Sequence, residues 1–329
     1  MARPEAADAL FVGVDVGGTK VAAGIVDSHG RIVASLRKPM VANADAAAGL
    51  ASVTAAIDAL FAEYPEARAT MRGIGICAPG PLDPSTGVVV NPPNLKCWRN
   101  FPLAAEISRR YNVPVKIDND ANAAALAEYL WGAGRGCKIV FYTCVGTGIG
   151  TGILFDGRIY HGRTGAAAEG GHVSIDYQGP VCGCGKRGCI EILAAGPAIA
   201  RRAQAKLAAE PARSSALQAL AQKNGGVVSS EMVGQASTEG DTVARGILLE
   251  TVELLAFWLA NTVDFLDPDV LIIGGGVAAM LHPFFPELRE RMSRHAVNSR
   301  SSEIPLLVAH YGADSGIAGG AALITPQSI

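Results

Sequence analysis

The 329-residue chain is 49% hydrophobic, 6% aromatic and 18% charged, with a formal net charge of −2. That length suits one large domain or two of ordinary size, and a pI near 6.3 gives no electrostatic footprint for nucleic acid. The longest apolar run, residues 270–285, is broken by glycines 274–276 and by Pro283 before it reaches membrane-spanning length, and the first ten residues are neither basic nor apolar enough for a signal peptide, so a cytoplasmic protein without membrane or nucleic-acid partners is expected.

In chain order, residues 10–16 read as a buried strand that turns through Gly17, Gly18, Thr19 and Lys20 into a second strand at 21–26. A turn at 27–30 leads to a third strand at 31–35. An alanine-rich helix over 44–64, a buried strand at 73–77, a helix at 103–111 and a strand at 113–117 follow. After a helix at 120–131 the opening pattern returns. A buried strand at 138–145 runs into Gly146-Thr147-Gly148-Ile149-Gly150, then a strand at 151–155, the turn Asp156-Gly157, and a strand at 158–160. Both copies carry Gly-Arg-Ile after the turn, which implies a duplicated α/β architecture of two lobes. Helices at 197–222 and 243–265 follow, the second stopped by Pro268. A short apolar strand at 270–273 runs into Gly274, Gly275 and Gly276, and a last helix at 316–324 packs back on the first lobe. The expected division is a small lobe of residues 1–118 joined by 314–329, and a large lobe of 119–313, with the chain crossing by the helix near 120–131.

His172, Cys182, Cys184 and Cys189 offer three thiols and one imidazole, a complete tetrahedral ligand set for Zn²⁺ with no position left for water. Disulfides are the bland alternative, but seven cysteines is an odd count and a cytosolic context favours metal. Gly183, Gly185 and Gly188 permit the tight turns of a ligand knuckle. Cys77, Cys97, Cys137 and Cys144 are scattered and read as structural. Glu169 and Glu191 flank the knuckle and are not needed as ligands, so a metal-pinned loop (169–191) would hold two acids for a polar substrate.

Three glycine loops, at 17–20, 146–150 and 274–276, let backbone N–H groups approach an anion. One alone would be an ordinary strand turn; three, two of them in duplicated positions, favour a nucleotide gripped in a cleft between the lobes. None is a Walker A loop, and Gly17-Gly18 enters a strand rather than a helix, so none is a dinucleotide fingerprint. Asp118, Asn119, Asp120 and Asn122 crowd a strand-to-helix junction. Asp120 could be a plain helix cap, but it could also take a proton from an attacking hydroxyl as a phosphoryl group arrives. Asp15 is the other acid placed to meet Mg²⁺ or phosphate.

These motifs, Asp15-Val-Gly-Gly-Thr-Lys20, Asn119-Asp120-Ala-Asn122, Gly146-Thr-Gly-Ile-Gly150, Glu169-Gly-Gly-His172 and Cys182-Gly-Cys184-Gly-Lys-Arg-Gly-Cys189-Ile-Glu191, resemble in order the ROK family of sugar kinases and repressors. The resemblance implies an actin-like, hexokinase-like fold with ATP in the interlobe cleft. It implies Asp120 as catalytic base on a hexose hydroxyl, usually O6, with Asn119, Glu169, His172 and Glu191 on the sugar hydroxyls and His172 also on zinc. Gly80 and Asn94 fall where the family's first-lobe sugar loop lies. Three positions depart from the family pattern: Gly170 replaces a bulky aliphatic residue, Ala168 a glycine, and Thr151 a glycine. The implied activity is an ATP-dependent hexose kinase, glucokinase-like, in a homo-oligomer (dimer or tetramer). Kinases for N-acetylmannosamine, N-acetylglucosamine or fructose share the motifs, and polyphosphate is an alternative donor. A sugar-sensing repressor would carry a DNA-binding domain before the first glycine loop, where only about ten residues stand here. A catalytically dead sugar binder is disfavoured by Asp120 and the phosphate loops.

Overall fold

The computed structural model describes residues 9–209 and 216–326. By contacts the chain divides into two compact units, one of residues up to 136, 152–168 and from 313 on, the other of 137–151 and 169–312. The parts of the expected small lobe at 1–8 and 327–329 lie outside the described residues.

In the first unit β1 (Leu10–Val16) and β2 (Lys20–Val26) are buried almost continuously, as strands covered on both faces are. β3 (Ile32–Pro39) buries only Ala34 and is an edge. Asp45 caps α1 (Ala46–Glu63), its carboxylate accepting the Ala48 N–H at 2.8 Å. Among the described residues α1, rather than residues 270–285, is the helix long and apolar enough to cross a membrane. Its Val53, Ile57, Leu60 and Phe61 instead pack with Val12, Val14 and Val21 in the core of the unit. Next come α2 (Pro65–Thr70), β4 (Met71–Ala78), the small ladder β5 (Leu82–Asp83) with β6 (Val88–Val89), α3 (Leu103–Tyr111), β7 (Val115–Asn119) and α4 (Asp120–Trp131). The sheet order is β3-β2-β1-β4-β7, with β4 and β7 parallel to β1. Its register sets Asp15 beside Cys77 and Cys77 beside Asp118. All three stand toward the carboxyl ends of parallel strands, where α/β sheets place their ligands.

The chain continues through β8 (Ile139–Val145), β9 (Ile149–Phe155) and β10 (Arg158–Ile159), then α5 (Ile190–Ala194), α6 (Gly196–Ala209), α7 (Ala216–Lys223), α8 (Ser230–Thr238) and α9 (Thr242–Leu266). β11 (Val270–Gly274), α10 (Gly276–Leu281), α11 (Phe285–His295), β12 (Leu306–Val308) and α12 (Ser315–Ile324) complete it. The second sheet runs β10-β9-β8-β11-β12, the same sequence of hairpin, first strand and two parallel strands as the first sheet. The duplication expected from the repeated glycine hairpins is therefore present in the topology.

Two expectations change in detail. The helix expected over 197–222 is two helices, α6 and α7, with 210–215 outside the described residues. Short helix α8 follows, its cap Ser229 accepting the Met232 N–H. The helix over 120–131 does not carry the crossing: α4 lies wholly in the first unit, and the chain leaves after residue 136. The cause is α12, expected to pack on the first lobe and found in that unit. A Cβ on its Gly319 would sit 2.7 Å from the Ala123 carbonyl carbon, so α12 and α4 meet backbone to backbone. Gly13 and Gly75 of the sheet do the same, with 1.8 Å and 1.7 Å left to the carbonyl oxygens of Ile317 and Gly320.

Candidate active site

The first unit gathers the acids. Asp15, at the end of β1, lies against the start of α12, where a Cβ on Gly316 would meet its carboxyl at 2.5–2.7 Å. The buried Cys77 thiol donates to the Gly316 carbonyl at 3.1 Å. Burial first, and then the charge of Asp120, push the Asp15 carboxyl above its ordinary range, against the pull of Lys20. Burial and the same two acids push the Cys77 thiol well up, so it stays neutral. A buried carboxyl whose ionisation is made costlier by a neighbouring acid is suited to a cation or to a proton in transit. The first glycine loop closes through Gly17 N–H to the Lys20 carbonyl at 2.9 Å. Its Gly18 stands 3.0 Å, Cβ to oxygen, from the carbonyl of exposed Asn94. Gly80 is half-buried after β4.

Capping falls to Asn119, not Asp120. The Asn119 side chain accepts the N–H groups of Ala121 (2.9 Å) and Asn122 (3.4 Å). Asp120 is the first residue of α4, exposed, with Oδ1 accepting the Ala121 N–H at 2.8 Å. The helix dipole there favours its ionised form. Beneath it Asp118, buried, accepts from the Asn119 N–H at 2.7 Å and the Asn122 amide at 3.1 Å, and pairs with His161 Nε2 at 2.6 Å. That hydrogen bond raises the His161 pKa against the opposing effect of burial. Sequence reasoning missed His161, a lone histidine 43 positions from its partner.

In the second unit the loop between β8 and β9 closes through Gly146 N–H to the Gly148 carbonyl at 2.9 Å. The third glycine loop lies against it: Gly275 has φ +93°, and a Cβ there would fall 2.4 Å from the Val145 carbonyl oxygen, so only glycine fits. A cavity of about 810 Å³ opens beside them, lined by Gly146, Thr147, Gly276, Ser229, Ser230 and Gln235 among others. The start of α6 meets the loop directly, Gly196 N–H donating to the Gly146 carbonyl at 2.8 Å. The first residues of α6 line this cavity, and α8 lines it from Ser230 to Thr238. The 229–235 wall was not foreseen; its one local signal is Ser229, a capping serine before a helix.

Glu191, at the start of α5, is split between two neighbours. Its Oε2 accepts the Ile149 N–H at 3.0 Å, and its Oε1 lies 3.9 Å from His172 Nδ1. Glu169 is exposed just before the single turn Gly170–His172. His172 Nδ1 is 3.6 Å from Cys182 Sγ, and Cys184 Sγ is 3.6 Å from Cys189 Sγ. All four ligand atoms lie within 4.8 Å of one another. Bonds of about 2.3 Å to sulfur and about 2.0–2.1 Å to nitrogen at tetrahedral angles put ligand atoms about 3.5–3.8 Å apart, so the cluster fits Zn²⁺. Burial and the neighbouring thiols push Cys189 up to about 12, while the backbone N–H of Lys186 pulls exposed Cys184 down. A divalent cation at the centre would be the charge that lets all three ionise together. The knuckle folds over Gly188, φ +61°, whose Cβ would strike the Asp176 carbonyl oxygen at 1.7 Å.

The sequence profile of the ROK family matches residues 11–327. The chain is 32% identical to a glucokinase of Halalkalibacterium halodurans, across 97% of this chain and 96% of that one. It is 30% identical to an N-acetylmannosamine kinase of Vibrio cholerae, across 94% and 96%. A ROK family glucokinase from Streptomyces griseus, solved with glucose and AMPPNP, superposes with a TM-score of 0.80 at 32% identity, covering 95% of this chain and 98% of that one.

Proposed function

The chain belongs to the ROK family, and we propose that it is an ATP-dependent hexose kinase converting glucose to glucose 6-phosphate. The observation that carries the reading is full-length likeness to glucokinases, one of them solved with glucose and an ATP analogue. The chemistry of the two units supports it. Asp120 is the general base, exposed at a helix start beside Asp15, on a turn that Asp118 holds through Asn119 and Asn122. It takes the proton of the hexose O6 hydroxyl as that oxygen attacks the γ-phosphorus, and ADP leaves.

ATP occupies the 810 Å³ cavity, a volume suited to a nucleotide-sized ligand. In the second unit Gly146, Thr147, Gly148 and Gly274, Gly275, Gly276 offer backbone to its phosphates, and in the first unit Gly17, Gly18, Thr19 and Lys20 form a glycine loop of the same kind. In the second unit Glu169, His172 through Nε2 and the Glu191 carboxylate are the groups for sugar hydroxyls; in the first unit they are the Asn119 amide left over from capping and the loops at Gly80 and Asn94. Asp15 is the residue to hold Mg²⁺, which would neutralise phosphate charge. His172, Cys182, Cys184 and Cys189 hold a structural Zn²⁺, and its part is to fix the backbone between Glu169 and Glu191. Cytoplasmic location and homo-oligomeric assembly belong to the same proposal. For the assembly, Phe265 and Val297 are 95% and 89% exposed, the surface that burial against a second copy would cover.

The test is a coupled assay with glucose, N-acetylmannosamine, N-acetylglucosamine, mannose and fructose against ATP and polyphosphate. The expected result is kcat/KM highest for glucose with ATP. A preference of tenfold or more for an N-acetylated sugar would move the chain to the other branch represented among its relatives.

A further inference from the structure

Three close approaches join the 146–151 segment to the sugar-side segment within the second unit. Glu191 Oε2 accepts the Ile149 N–H at 3.0 Å, and a Cβ on Gly148 would fall 2.6 Å from that same oxygen. A Cβ on Gly171 would fall 1.9 Å from the Ile149 carbonyl oxygen. The Gly170 N–H donates to Thr151 Oγ1 at 2.8 Å, from a threonine only 4% exposed. A Cβ on Gly170 would stand 2.7 Å from that Oγ1 and 3.0 Å from the Thr151 Cγ2.

We propose that Thr151 is a positioning residue for the sugar site: its hydroxyl fixes the peptide between Glu169 and Gly170, and with Glu191 it makes the glycine loop and the sugar-side segment one mechanical piece. The inference rests on Glu169 and Glu191 as sugar ligands. It also joins two departures from the family pattern into one. The volume that an aliphatic side chain at 170 would fill is occupied by Thr151, so glycine at 170 and threonine at 151 are an exchange of bulk across one contact. The exchange replaces an apolar contact with a directional hydrogen bond to the backbone beside Glu169. Because the same β9 segment carries Ile149, a shift of Glu169 on binding sugar is transmitted to the loop that meets the nucleotide cavity.

The test compares Thr151→Val, Thr151→Ser, Gly170→Ile and the double variant Thr151→Gly/Gly170→Ile. Valine keeps the shape and removes the acceptor, leaving the half-buried Gly170 N–H without this partner. Its glucose KM is expected to rise about tenfold, with ATP KM and kcat within about twofold of native. Serine restores the glucose KM. Gly170→Ile alone raises it further, and the double variant recovers toward native because the bulk is exchanged back. A native glucose KM in Thr151→Val, or a double variant no better than Gly170→Ile, overturns the proposal. Hydrogen exchange of the 169–172 amides gives a readout independent of the sugar. Faster exchange in Thr151→Val than in Thr151→Ser supports the hydroxyl's role, and equal exchange refutes it. If the native protein phosphorylates no hexose, the kinase reading falls while this exchange comparison still decides the role of Thr151.

Discussion

Replacing Asp120 by asparagine separates catalysis from folding, because the structure says what the amide can and cannot keep. Asp120 Oδ1 accepts the Ala121 N–H at 2.8 Å, and an asparagine carbonyl can do the same. The cap itself is Asn119, which the substitution does not touch. What is lost for folding is a charge at the helix start, worth about 0.3–1 kcal/mol. Against that stands relief of Asp15, whose carboxyl Asp120 helps push above its ordinary range. The two effects oppose, so the melting midpoint should move by no more than about 2–4 °C, the shift that 1 kcal/mol produces in a unit of this size. Catalysis has no such compensation. An amide cannot accept the O6 proton, and general-base assistance is worth about 10²–10⁴-fold, or about 2.7–5.5 kcal/mol of barrier. The assay is steady-state phosphorylation with glucose and ATP varied in turn, beside calorimetry of the same preparation. A kcat within tenfold of native in a folded Asp120→Asn protein would refute the assignment.

Zinc should bind at one ion per chain, and Cys184→Ser should release it and raise glucose KM more than ATP KM; full activity in native protein with substoichiometric zinc would defeat this. His161 has a raised pKa in the folded state, so its pairing with Asp118 stabilises fully below the unfolded value of 6.5 and is lost as pH climbs through the folded pKa. Urea midpoints should therefore fall across that window in the native protein and flatten there in His161→Gln; parallel profiles would count against the pairing. Gly75→Ala would drive a Cβ to 1.7 Å from the Gly320 carbonyl oxygen, backbone against backbone, and should cost at least the upper part of the usual ~1–3 kcal/mol for overpacking. An unfolding free energy within about 1 kcal/mol of native in denaturant melts would contradict that contact.

Much of the molecule was written locally and could be read. The glycine hairpins at 17–20 and 146–150 repeat because the sheet is repeated, and the observed strand orders carry the same pattern. His172, Cys182, Cys184 and Cys189 lie within eighteen positions, so spacing alone brought the cluster together. What escaped depends on contacts distant in sequence. His161 matters only through Asp118, and Thr151 only through Gly170. The assignment of α4 to the first unit follows from α12, nearly two hundred residues further on. No periodicity within residues 120–131 encodes that partner. The capping role of Asn119 rather than Asp120 is a one-residue matter of phase, the scale at which helix ends are least legible.

The low aromatic content and the 39 glycines are two sides of one packing solution. Large rings fill a core when elements stand apart. Here α12 presents Gly316, Gly319 and Gly320 to β1, β4 and α4, and the sheet answers with Gly13 and Gly75, so that main chains touch. That contact puts the start of α12 directly on Asp15, where side chains of ordinary size would have held it away. The same device recurs in the second unit, where Gly148 and Gly171 bring the glycine loop against Glu191 and the sugar-side turn. In both units the glycines that look like core economy are therefore also what sets a carboxylate's distance from its neighbours. Added bulk at Gly316 or Gly171 should for that reason alter catalytic constants in any protein that still folds, whereas equal bulk at Gly246, which has open space around its missing Cβ, should leave them unchanged.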